Sequence, residues 1–228
     1  VTRYLDIHQV KLDISQIEFD RLWLFLSEDE RSRADRFKRE YLRRNFVAAR
    51  GNLRIQLAHR LGCLAQEIQF SYGDRGKPYI QDYNIYFNLA HSQDVAIYAI
   101  CGDRDVGIDL EFIDPNCDFE NVAQRYFSPS EQRIIQGLGD RNKDLARLAF
   151  YQAWTLKEAY GKATGQGIAN ILNAIDVSPL LEISGDKTIS KTIQIGGWTL
   201  QLLSDENVYA QPSWNLNANY MAALCIAK

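Results

Sequence analysis

The amino-acid sequence predicts an α+β protein made of two similar units, and three observations lead there. Apolar residues recur at helical spacing over two long stretches, residues 44–61 and 145–164. Short apolar or alternating runs, set off by Gly, Asp and Asn, read as strands. An alternating, mostly apolar run closes each half of the chain, Val95–Cys101 in the first and Tyr220–Ala227 in the second. That echo suggests a duplicated unit. The boundary falls in the polar Gly102-Asp103-Arg104-Asp105 turn, giving units of residues 1–103 and 104–228.

In the first unit, residues 10–14 and 22–26 read as short strands, and Ser27 with Glu30 reads as a capping box opening a helix. Phe46, Ala49, Leu53, Leu57 and Leu61 share one helical face, and Gly62 supplies the stop. After the turn-rich residues 73–78, residues 85–90 and 95–101 predict a hairpin whose loop, His91-Ser92-Gln93-Asp94, carries a histidine. Residues 106–111 predict a third strand. The second unit reads as helices over Phe119–Tyr126, residues 128–138 and residues 145–164, with strands at its end.

Composition narrows the function classes. A 228-residue chain with 46% hydrophobic residues can bury a core without disulfides. Cys63, Cys101, Cys117 and Cys225 are scattered, with no CxxC pair and no histidine at zinc-ligand spacing, so they read as free thiols. No apolar run reaches membrane-spanning length, and residues 1–10 carry charges where a secretion signal needs an apolar stretch, so the expectation is a cytoplasmic protein that binds no membrane. The net charge of −3 argues against nucleic-acid binding. Positive charge is nonetheless crowded between Arg31 and Arg60, a segment suited to phosphates or an acidic partner.

Three clusters carry chemistry. In Val106-Gly107-Ile108-Asp109-Leu110-Glu111, strand alternation puts Asp109 and Glu111 on one face, a pair that suits Mg²⁺ bridging to a phosphate. On spacing alone, an ordinary polar strand face is the commoner explanation. Tyr151, Trp154, Glu158 and Lys162 form a stripe along the last long helix, placing a carboxylate and an ammonium one turn apart. Alone, that is a surface ion pair beside core aromatics. The third cluster pairs Arg75, Gly76, Lys77 and Pro78 with Asn88, Ala90, His91 and Ser92, which offer cations and a histidine to a phosphate.

Taken in order, these segments resemble the surfactin-type (Sfp-type) branch of the 4′-phosphopantetheinyl transferases. Gly76-Lys77-Pro78-Tyr79-Ile80 with Phe87-Asn88-Leu89-Ala90-His91-Ser92 is similar to its first motif, Val106 to Glu111 to its VGIDxE motif, and Trp154 through Lys162 to its WxxKEAxxK motif. Phe127-Ser128-Pro129-Ser130-Glu131 matches a further segment. The chain departs at Ala90, where the branch often has serine, and at Glu30, where it has a lysine. The resemblance implies a pseudodimer of two α+β lobes with the active site between them, active as a monomer. It implies transfer of phosphopantetheine from coenzyme A to a serine of an apo acyl carrier or peptidyl carrier protein, with release of 3′,5′-ADP.

Carried over by position, the resemblance makes Asp109, Glu111 and Glu158 ligands of Mg²⁺ and Lys162 a contact to the coenzyme A diphosphate. Arg33, Arg75, Lys77 and His91 would hold the nucleotide and its 3′-phosphate, with Asn88 in the same coenzyme A site. Asp109, Glu158 and Lys162 are the expected catalytic groups, with Glu158 taking the serine proton directly or through water. Phe119, Val122, Arg125, Tyr126 and Phe127 form the segment expected either to face the carrier or to fill the core. A coenzyme A pyrophosphohydrolase and a silent binding module would share some of these groups.

Overall fold

The structure, a computed structural model, describes residues 4–181, 192–204 and 214–228. It is a mixed helix-and-sheet fold. The first half runs β1 (Leu5–Lys11), α1 (Gln16–Trp23), α2 (Glu28–Asp35), α3 (Glu40–Leu61), β2 (Ser71–Tyr72), β3 (Pro78–Tyr79), β4 (Tyr86–Ser92) and β5 (Val95–Cys101). The second half runs β6 (Val106–Phe112), α4 (Phe119–Tyr126), α5 (Pro129–Gly139), α6 (Lys143–Thr164), β7 (Thr192–Ile195), β8 (Trp198–Leu202) and β9 (Tyr220–Ala227).

Two sheets carry these halves, ordered β1-β5-β4 and β6-β9-β8-β7, all antiparallel, with β2 and β3 as a separate ribbon. Strand β5 explains the arrangement. Ala96, Tyr98 and Ile100 pack among the first-half helices, while Val95, Ile97, Ala99 and Cys101 pack against Val106, Ile108, Leu110 and Leu224 of the other sheet. Both faces are buried, so the strand is apolar throughout. Each sheet therefore has helices on one side and the other sheet on the opposite side.

Between the sheets, β4 and β6 lie side by side without a backbone ladder. Asn88 Oδ1 accepts from the Ile108 N–H at 2.9 Å, and Ser92 Oγ accepts from the Phe112 N–H at 3.0 Å.

The two long helices are built alike. Both have 22 residues and end on a left-handed glycine, Gly62 (φ 68°) and Gly165 (φ 70°), where L side chains are disfavoured. Each is clamped by a buried ion pair to the capping-box glutamate of a preceding helix. In the first half, Glu30 accepts from the Ser27 N–H and from Arg54 Nε at 2.7 Å, and Arg54 Nη1 donates to the Ala65 and Ile68 carbonyls. In the second, Glu131 accepts from the Ser128 N–H and pairs with Lys157 Nζ at 2.9 Å, and Lys157 donates to the Leu172 and Ile175 carbonyls. Arg54 and Lys157 are each the fifteenth residue of their helix. A buried charge costs several kcal/mol of desolvation unless its hydrogen-bonding capacity is filled, and the three Lys157 donors meet three acceptors.

Three sequence expectations change. Residues 22–26 are the end of α1 and the turn beyond it, because the Ser15 side chain caps that helix and Phe19 and Leu22 point inward at helical spacing. The first strand lies earlier than residues 10–14, at Leu5–Lys11, where β5 supplies its partner. His91 and Ser92 belong to β4, paired with Ala96 and Val95; the turn is Gln93-Asp94, with Gln93 at φ 51°. Among the described residues, no helix is long and apolar enough to cross a membrane, and the four cysteines are free thiols.

Candidate active site

The site begins with a close approach. Strand β6 crosses α6 so tightly that a Cβ at Gly107 would lie 2.2 Å from the Ala159 carbonyl oxygen, which leaves room only for glycine. Alternation then turns Val106, Ile108 and Leu110 toward the other sheet and Asp109 toward α6. Asp109 Oδ1 sits 2.6 Å from Lys162 Nζ. Glu111 accepts from Trp154 Nε1 at 3.3 Å and from the Ser92 hydroxyl at 3.4 Å. Trp154, Glu158 and Lys162, four residues apart along α6, present one stripe to these carboxylates.

The electrostatics follow from three acids sharing one cation. Burial pushes the Asp109 carboxyl up, against the pull of Lys162. Burial, with the negative charge of Asp109, pushes Glu111 up to about 7. Glu158 is raised for the same two reasons, with Lys162 opposing. Asp109 Oδ2 is buried and has no hydrogen-bond partner among the described residues. Such a set favours an added cation. The described residues contain no preassembled metal cluster, and Asp109 is turned to Lys162. His91 reaches solvent beside them; the surrounding protein lowers its pKa, as does Lys162, while Asp109 acts the other way.

A cleft of about 970 Å³ leads away from this point, lined among others by Arg33, Phe46, Arg50, His91 and Ser92. Ser92 joins cleft and carboxylates, because its hydroxyl faces Glu111. Of the residues expected to hold a nucleotide, Arg33 and His91 line the cleft. The other three lie elsewhere. Asn88 is buried between the sheets with its carbonyl occupied by Ile108. Lys77 donates to the Val106 and Ala163 carbonyls and lies 3.5 Å from Asp105, tying the β2–β3 ribbon to β6 and α6. Arg75 is exposed beside Gly167. Phe119 at the start of α4 and Phe127 just past its end pack on Phe150 in the core, leaving Arg125 and Tyr126 outside.

The profile of the 4′-phosphopantetheinyl transferase superfamily matches residues 105–225, which hold all three carboxylates and Lys162. The chain belongs to that superfamily. It is accordingly a transferase, which moves phosphopantetheine from coenzyme A to a carrier protein. The 4′-phosphopantetheinyl transferase HetI of Nostoc sp. is 38% identical over 89% of this chain and 84% of its own length. The 4′-phosphopantetheinyl transferases ffp of Bacillus subtilis and Sfp of Bacillus subtilis strain 168 are 30% and 28% identical, each over 76% of both chains.

Two side chains in this transferase carry weight that their place in the sequence does not signal. Lys157 sits inside the helix motif but points away from the site, into the clamp that fixes α6. Arg50 lines the cleft from within the basic segment. Helical phase separates Lys157 from the Glu158 and Lys162 stripe; Arg50 falls on the apolar face, where a charged residue is itself a marker.

Proposed function

We propose that the transfer occurs where β6 and α6 meet, with Asp109, Glu158 and Lys162 as catalytic residues and Mg²⁺ held by Asp109, Glu111 and Glu158. The observation that carries this is the convergence of three carboxylates with raised pKa values and one ammonium at the end of a basic cleft. The orphaned Asp109 Oδ2 fits a cation. When bound, Mg²⁺ would supply charge neutralisation to diphosphate oxygens.

In this reading the serine hydroxyl of an apo acyl or peptidyl carrier protein attacks the phosphorus that bears pantetheine. The new bond joins serine Oγ to that phosphorus. The bond to the bridging oxygen breaks, and 3′,5′-ADP leaves with its electron pair. Glu158 takes the serine proton; partial burial beside Asp109 makes its carboxylate more basic than usual. Lys162 places positive charge at the diphosphate, where positioning and electrostatics dominate phosphoryl transfer. Arg33 and His91 hold the nucleotide in the cleft. Lys77 and Asn88 serve indirectly by holding β6, and Arg75 has no nucleotide contact in this reading. Exposed Arg125 and Tyr126 offer a mixed basic and apolar contact to the carrier.

The two halves form a pseudodimer of residues 1–103 and 104–228 with one site between them, and the chain works as a cytoplasmic monomer. His91 and Ser92 from the first half meet Asp109, Glu111, Glu158 and Lys162 from the second, which supports it. The test mixes the Asp109→Ala and His91→Ala variants with coenzyme A, Mg²⁺ and apo carriers, and follows the carrier mass gain of one phosphopantetheine. Each variant alone should be impaired, with no recovery on mixing and a monomeric mass in light scattering. Recovery above the sum of the two would overturn the single-chain site. Release of 3′,5′-ADP by the unmutated protein without a carrier would favour hydrolysis over transfer.

A further inference from the structure

The turn between β4 and β5 is held from both halves. Gln93 stands at φ 51°, in the left-handed region that L side chains rarely occupy, so its surroundings must fix it. From the first half, the Leu12 N–H donates to the Asp94 carbonyl at 2.7 Å and Asn45 Nδ2 to the Gln93 carbonyl at 3.1 Å. From the second, the Tyr220 hydroxyl donates to Asp94 Oδ1 at 2.5 Å. Just before this turn stand His91 and Ser92, which line the cleft together with Asp94.

Tyr220 is fixed in its own right. It opens β9, pairs with Phe112 at the end of β6, and sets its ring edge-on to the Phe112 ring at 5.5 Å. Partial burial and the bond to Asp94 push its hydroxyl up to about 12, so the proton it donates stays in place at neutral pH. The chain leading into it is tied to the first half. The Gln9 side-chain amide donates to the Asn215 carbonyl at 3.2 Å and accepts from the Asn215 N–H at 3.2 Å, while Trp214 and Leu216 pack against the apolar seam between the sheets. Phe112 is also the residue whose N–H donates to Ser92 Oγ. Asp94, Tyr220, Phe112 and Ser92 therefore close a ring, in which the second half grips the end of β4 at two points two residues apart. A grip at Ser92 alone would leave the turn free to swivel about that point; the grip at Asp94 removes the freedom.

We propose that Tyr220 and Asp94 are positioning residues of the transferase, a latch between the halves that holds His91 and Ser92 in place against Asp109 and Glu111. The proposal rests on the reading of the cleft as the nucleotide site. Neither side chain needs to touch the reacting atoms. Ser92 faces Glu111, and His91 feels the charges of Lys162 and Asp109, so a cleft wall that turns about Ser92 moves a nucleotide contact relative to the acids. A misplacement of about 1 Å can cost as much as about a hundredfold. The turn keeps its two ties to the first half when the latch is cut, which makes the expected effect smaller than that.

The experiment measures kcat, KM for coenzyme A and melting on one apo carrier, in the unmutated protein, Tyr220→Phe, Asp94→Ala, Asp94→Asn and the double variant Tyr220→Phe with Asp94→Ala. Tyr220→Phe keeps the ring against Phe112 and removes only the hydroxyl. It should raise KM for coenzyme A about fivefold while lowering kcat by less than about twofold, with melting nearly unchanged. Asp94→Ala should match it, and the double variant should add nothing further, because the two groups make one contact. Asp94→Asn keeps an acceptor oxygen without the charge and should stay within about twofold of the unmutated protein. An unchanged KM in Tyr220→Phe, or effects that multiply in the double variant, would overturn the proposal. So would an Asp94→Asn variant as impaired as Asp94→Ala, which would assign the effect to the charge. Calorimetric titration of coenzyme A without carrier separates the latch from the reading of the cleft. Weaker binding in His91→Ala but not in Tyr220→Phe sinks the latch and leaves the cleft reading in place. Weaker binding in Tyr220→Phe but not in His91→Ala does the opposite, keeping the latch and removing His91 from the nucleotide site.

Discussion

The halves share a frame and divide the labour. Strands β1 and β6 have seven residues each, and both pair antiparallel to the last strand of their half. Position by position, Asp109 and Glu111 in β6 correspond to His8 and Val10 in β1, and Glu158 and Lys162 in α6 to Ile55 and His59 in α3. The clamp is kept in both, while the acids occur in one. What fixes a long helix against its sheet is thus separable from what does chemistry on it.

The largest expected effect breaks the halves apart by activity. Asp109→Ala should leave less than about a tenth of the turnover at saturating Mg²⁺, with melting near that of the unmutated protein, because the change removes the cost of a buried carboxylate beside two other acids along with its bond to Lys162. His8→Ala, at the corresponding place, should keep transfer intact. Measuring both with one carrier and coenzyme A decides it; a loss in His8→Ala as deep as in Asp109→Ala would mean the first half also takes part in catalysis.

The clamps should then differ in strength. Lys157→Met strands Glu131 in the core and should cost about 3 to 5 kcal/mol in urea unfolding. Arg54→Met leaves Glu30 facing Arg50 and should cost less, by about 1 kcal/mol or more. Equal losses would show that Arg50 does not stand in for Arg54.

The smallest effect concerns Asp176, which belongs only to the second clamp. Partial burial raises its carboxyl, but bonds from the Ser178 N–H and the Ser128 hydroxyl, with the nearby charge of Lys157, outweigh burial and hold it below the usual range. A depressed carboxyl stabilises the fold above its unfolded pKa, and the contribution disappears as pH falls through the folded value. Asp176→Asn should therefore melt slightly lower than the unmutated protein at pH 7, with the gap closing in acid. A gap independent of pH would assign the effect to packing.

How much of this was legible depends on distance along the chain. The alternation in β6 and the spacing of Glu158 and Lys162 are local patterns, and the structure brings Asp109 and Lys162 into contact. His91 reads as a loop residue because a turn signature marks a turn without marking which residue opens it. Residues 22–26 are apolar enough for a strand, and only the Ser15 cap seven residues earlier tells otherwise. Helical phase sets Lys157 and Arg50 apart from their neighbours, but the roles of Lys157, Arg50 and Lys77 need partners 20 to 86 residues away, such as Glu131, Glu30 and Ala163, and no periodicity encodes those partners.

The two side-chain bonds from β4 to β6 act as index marks. Asn88 and Ser92 each take one particular amide, that of Ile108 and that of Phe112. A strand slipped by one residue would exchange its faces, sending Asp109 and Glu111 into the apolar seam and Ile108 and Leu110 toward α6. An oily seam alone grips Val, Ile and Leu with little concern for order. Two polar teeth set at matching spacing on both strands choose the one alignment in which the acids emerge on the reactive side.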